Sequence, residues 1–229
     1  MNSKASLAWT PTRVLLVETA ERLLAERGVN GVSLREIGVE AGQRNTGAVR
    51  YHFGTKELLV AAVFEYRMTR INERRLAILA RLEREGRALE MRGLAEAFLF
   101  PLAEMLGEIG RPSWYLRFCI HAAYVEGAPP EDLNRQSFTL GAAIVRDRYE
   151  QLMVAAEVPE DLRAERYSLF TGHIAHALAD RELMLQRAPQ RIHTPRAVFL
   201  ANLLDTAVGL ADAPISKQTS QQIDDRRTA

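Results

Sequence analysis

Apolar residues along this chain recur at three- and four-residue spacing, and apolar–polar alternation is nearly absent. That pattern predicts helices throughout, an all-α fold. Leu16, Ala20 and Leu24 form the first stripe. It opens at Thr10-Pro11, a capping residue before a proline at the first helical position, and Gly28 closes it. Ser33 and Glu36 have capping-box spacing, with Leu34, Ile37 and Ala41 pointing inward and Gly42 ending that short helix. A third short helix is predicted from Asn45 to Phe53, stopped by Gly54. Thr55 then caps a long helix that starts at Lys56, runs to about Arg84 and is broken by Gly86. Further helices are predicted over 88–108, 112–126, 131–156, 159–187 and 195–210, with Pro112, Pro130, Pro159 and Pro195 at or near their starts. Pro101 falls inside the apolar pattern Leu99, Phe100, Leu102, Met105 and predicts a kink. The polar stretch 212–229 is expected to lack regular structure.

Composition narrows the class. With 229 residues, 47% of them apolar, the chain can bury a core without a disulfide or metal staple. A single cysteine, Cys119, excludes an intramolecular disulfide framework and a Cys-rich zinc finger. Apolar runs such as 97–103 fall far short of the roughly 20 residues that span a bilayer. The first ten residues carry no secretory signal, so a cytoplasmic protein with no membrane association is expected. The net charge of +1 is unevenly spread. Residues 1–75 hold 12 Lys/Arg against 8 Asp/Glu, and the remainder holds 18 against 21. A basic N-terminal third on a slightly acidic body is compatible with nucleic-acid binding at that end.

The segment 33–53 has the spacing of a helix-turn-helix, in which a first helix braces a second that meets base edges in the major groove. The residues expected to read bases are Gln43, Arg44, Asn45 and Thr46. Arg44 can donate two hydrogen bonds to guanine and Asn45 can pair with adenine. Val49 is expected to face the core. Arg50, Tyr51 and His52 at the helix end, and Lys56 at the next helix start, are expected to hold phosphates. By pattern alone, a three-helix cap with a polar turn is an equal alternative.

Residues 13–66 resemble the N-terminal domain of TetR-type transcriptional regulators. The matching motifs are Ala25-Glu26-Arg27-Gly28, Ser33-Leu34-Arg35-Glu36-Ile37, Glu40-Ala41-Gly42, Tyr51-His52-Phe53 and Thr55-Lys56-Glu57-Leu58-Leu59. Two departures stand out: one extra residue between Gly42 and Phe53, and Arg50 where the family usually has a tyrosine. The extra residue blurs which of positions 43–46 reads bases. The resemblance implies a DNA-binding domain over 1–55, a connecting helix over 56–85 and a ligand-binding and dimerisation domain over 86–211. It also implies a homodimer on a palindromic double-stranded DNA operator, a repressor released by an unknown small-molecule effector.

In the body, Phe98, Met105, Trp114, Phe118, His121 and Tyr124 are candidate pocket residues, the last four sharing one helical face. Plain core packing is the competing reading for them. Phe170, Ile174, Phe199, Leu203 and Ala207 lie on two apolar stripes expected to form the dimer face, or else to cover their own core. His173 and His176 stand three apart without a third ligand of clear spacing, so no metal is assigned and no cofactor is expected. No phosphate loop, HExxH, GxSxG or nucleophile–base pair is present, which argues against an enzyme. A helix-turn-helix regulator controlled by a protein partner remains the other alternative.

Overall fold

A computed structural model describes residues 9–45, 47–122 and 139–228. Ten α-helices follow in chain order among these residues: α1 Pro11–Arg27, α2 Leu34–Glu40, α3 Ala48–Phe53, α4 Lys56–Arg84, α5 Met91–Ala103, α6 Tyr115–Ile120, α7 Leu140–Ala155, α8 Glu160–Arg187, α9 Arg196–Ala211 and α10 Lys217–Thr228. The first four begin where local chemistry places them. Thr10 Oγ1 accepts from the Arg13 amide, Ser33 and Glu36 form the reciprocal capping box, and Thr55 Oγ1 accepts from the Leu58 amide. Gly42, at φ 67°, closes α2, with its own amide on Val39 O and the Gln43 amide on Gly38 O. A side chain at position 42 would strain that turn.

α1 packs on α4 and α6, α4 packs on α5 and α7, and α8 packs on α5, α6, α7 and α9. Helix α4, about 43 Å long at 1.5 Å per residue, therefore runs from the helix-turn-helix into the body. Glu21 on α1, buried to 2% exposure, fastens the two: its carboxylate accepts from Arg67 Nε on α4 at 2.7 Å and from Arg67 Nη2 at 3.2 Å.

Several expectations are corrected. α3 begins at Ala48, not Asn45, because the Asn45 side chain accepts from the Gly47 amide in the turn that precedes it. The stretch before α6 is not helical: Glu108 and Arg111 bond each other's backbone in a tight turn. α5 spans Met91–Ala103, shorter than the expected 88–108, with Pro101 buried in its last turn. The tail forms α10, whose first turn is held by Ser216 Oγ accepting from the Thr219 amide at 3.2 Å. The supposed dimer stripe is largely interior. Phe170, Ile174, Leu203 and Ala207 are buried within the chain, and Phe199 is half-buried beneath the Arg181 guanidinium, 4.9 Å from its ring. Those stripes cover the chain's own core, Phe170 meeting Tyr149 at 5.3 Å and Phe98 at 6.2 Å.

Candidate nucleic-acid interface

Helix α3 divides by burial. Val49 and Phe53 are inside, as expected for Val49, while Arg50 and Tyr51 point out. Tyr51 is 84% exposed, too open to serve packing. The His52 ring lies edge-on to Tyr51 with centroids 5.1 Å apart and is half-buried. Gly54, at φ 80°, turns the chain into α4, and Lys56 follows in the first turn, half-exposed. Glu57 and Glu36 both have carboxyls held below the usual range, chiefly by the hydroxyls of Thr55 and Ser33, with a smaller contribution from Lys56.

The four expected readout residues part company. Arg44 is exposed. Gln43 folds back, its amide donating to Ala41 O at 3.3 Å. Asn45 spends its Oδ1 on the Gly47 amide at 2.9 Å, an Asx turn that leads into α3. Thr46 lies outside the described residues.

Arg13, not singled out from the sequence, sets the pose of α3. It is buried under α3, its guanidinium 4.6 Å from the Phe53 ring centroid and 5.3 Å from Trp9, and its Nη1 donates to the His52 carbonyl at 2.8 Å. A cation clamping the last carbonyls of α3 opposes the helix dipole's negative end. Its partner His52 lies 39 residues away, so no local signal marks it.

The body residues also separate. Met105 and Trp114 line a cleft of about 400 Å³ with Glu18, Glu21, Arg67 and Ser113, between α1, α4 and the turn before α6. Phe98 packs instead on Phe170, with the Arg75 guanidinium 5.3 Å from its ring centroid. Phe118 is fully buried between Phe64 at 4.9 Å and Tyr115 at 6.1 Å. His121 is half-buried, and Tyr124 lies outside the described residues. His173 Nε2 meets Thr206 Oγ1 at 2.9 Å and His176 Nδ1 meets Gly172 O at 2.9 Å.

Residues 16–63 match the family model for bacterial regulatory proteins of the tetR family. Over that segment the chain is similar to the N-terminal domain of tetR-family regulators. The match runs from the second turn of α1 through the first two turns of α4. No curated protein matches this sequence. The TetR-type fold extends over the body: the transcriptional regulator FadR from Bacillus subtilis, solved in complex with stearoyl-CoA, is 16% identical with a TM-score of 0.54, covering 89% of this chain and 99% of its own. RolR, solved in complex with resorcinol, is 21% identical over 90% of this chain and 95% of its own, with a TM-score of 0.43. Among the described residues no helix is long and apolar enough to cross a membrane.

Proposed function

We propose that this TetR-type regulator is a homodimeric repressor that holds a palindromic operator and releases it when a small molecule binds the helical body. Arg44 reads bases, while Arg50, Tyr51, His52 and Lys56 hold phosphates. The observation that carries this reading is the course of α4. Its first turn stands beside the exposed Tyr51 and Arg50, and its second half is buried against α5 and α7. A shift of the body helices then moves Lys56 and α3, and with them the spacing of the two recognition elements, about 34–36 Å for successive major grooves. The effector acts only through its preference for one arrangement. The complex of FadR with stearoyl-CoA supports a body that accommodates such a molecule.

The dimer contact is assigned to the outward sides of α8 and α9, because their inward stripes are already used. Leu169 and Val198 are 56% and 55% exposed, and open space lies beyond the Cα atoms of Gly172 and Gly209. The test is selection of operators from randomised duplexes, followed by binding at moderate salt and light scattering. Two protomers per duplex on an inverted repeat are expected. No preference over random DNA, or one protomer per site, overturns the reading.

A further inference from the structure

Among the described residues two buried arginines lack a carboxylate partner, Arg13 beneath α3 and Arg75 in the body. Glu21 pairs with Arg67, and Arg117 Nε reaches Glu182 at 3.3 Å. Arg75, at the centre of α4 and 1% exposed, has no carboxylate within ion-pair distance among the described residues. Its Nε donates to the Ala97 carbonyl at 3.1 Å. That carbonyl is available because Pro101, four residues on, has no amide hydrogen to give it. Its Nη1 has no hydrogen-bond partner among the described residues. One edge of the guanidinium thus serves the backbone, and among the described residues the charge itself is left unmatched.

The surroundings come from every neighbouring helix. Phe98 on α5 puts its ring 5.3 Å from the guanidinium carbon and passes to Phe170 on α8. Phe170 meets Tyr149 on α7, which meets Tyr167 edge-on at 5.2 Å. Gly141 at the start of α7 approaches so closely that a Cβ there would lie 3.2 Å from Arg75 Cγ and Cδ. From α6, the buried Tyr115 hydroxyl lies beside the Cys119 thiol and makes no hydrogen bond to an oxygen or nitrogen of the described residues. Aromatic faces offset part of a buried cation's cost, but a counter-charge offsets more. Burial pulls the Arg75 guanidinium down to about 10, which still leaves it charged at neutral pH.

We propose that Arg75 is the charge-reading residue of the effector site, and that the effector is an organic acid with an aromatic or aliphatic body and one carboxylate. The carboxylate takes the free Nη1 edge, and the apolar body lies along the aromatic cluster. A monoanion cancels the single buried charge, whereas a phosphate dianion would leave an excess negative charge in the core. The proposal rests on the regulator reading for the use made of the site, not for the site itself.

The test uses the full chain with 2-naphthoate and octanoate as probes and their neutral amides as controls, dissociation constants being read from tryptophan fluorescence. Each acid is expected to bind at least tenfold more tightly than its amide. Arg75→Gln, whose amide can still serve the Ala97 carbonyl, and Arg75→Met are expected to erase that preference. Acid and amide binding alike, neither acid binding at millimolar concentration, or Arg75→Gln keeping the preference would each overturn the proposal. The wild-type comparison decides even if a variant does not fold. Operator binding is measured on the same preparation. Loss of specific DNA binding refutes the regulator reading, and an acid-selective site without effect on operator affinity upholds Arg75 and refutes its regulatory use.

Discussion

Truncating Phe118 separates a wall of packed core from a wall of a ligand chamber. The ring is fully buried on α6 and wedged between Phe64 of α4 and Tyr115, so its removal leaves a gap between α4 and α6. Losing the ring's burial in Phe118→Ala costs about 2 kcal/mol. The vacated space of roughly 100 Å³ adds about 2 kcal/mol more at ~24 cal/mol per Å³, if the helices do not relax. The expected loss is therefore about 4 kcal/mol, within the ~3–5 kcal/mol common for buried Phe→Ala changes. At about 2–4 °C per kcal/mol for a chain of this size, the melting temperature falls by roughly 8–16 °C. Phe118→Leu, which keeps much of the volume, should lose well under half of that. Urea denaturation followed by helix signal, with a thermal melt on the same samples, measures both. A loss below about 1 kcal/mol for the alanine variant would refute the packing argument, since a side chain facing open space leaves little new cavity behind.

Four further predictions concern the DNA-binding end and the contact between α6 and α8. Lys56→Ala should weaken all duplexes alike and lower the salt slope of binding by about one per half-site, read from titrations across salt on specific and random DNA. Arg44→Ala should cost about 1–3 kcal/mol and relax preference at one position per half-site. Asn45→Ala, which removes the bond to the Gly47 amide, should instead lower stability by about 0.5–2 kcal/mol and keep the same preferred sequence in operator selection. Burial pushes the Glu182 carboxyl up to about 7 against the bonds from Arg117 and Leu116, so the native chain holds this proton more tightly than the unfolded chain. Stability should therefore fall as pH rises from about 4.5 to 7 and level off above, by on the order of 1–3 kcal/mol from this group. Glu182→Gln should show a smaller pH slope in urea midpoints at pH 5 and 7.5, and an unchanged slope would refute the assignment.

The helical class, the starts of α1, α2 and α4, and the facing of Val49 were all determined by the sequence alone. Each rests on interactions within four residues: Thr10, the Ser33–Glu36 pair and Thr55 satisfy amides of their own first turns. The TetR-type motifs are legible for the same reason, since they lie in this locally specified segment. Tertiary structure decided the rest. α6 starts at Tyr115 with no capping side chain on Trp114, because Glu182 arrives from 66 residues away to accept from the Leu116 amide. Arg75 turns inward because Pro101 frees the Ala97 carbonyl on another helix, a relation no spacing along α4 reveals. The apolar stripes of α8 and α9 were visible, but their occupant was not. A 3.6-residue period records that one side of a helix is buried, and is the same whether that side meets its own chain or a partner's. Only the packing of α5 and α7 against Phe170 and Ile174 made it the chain's own.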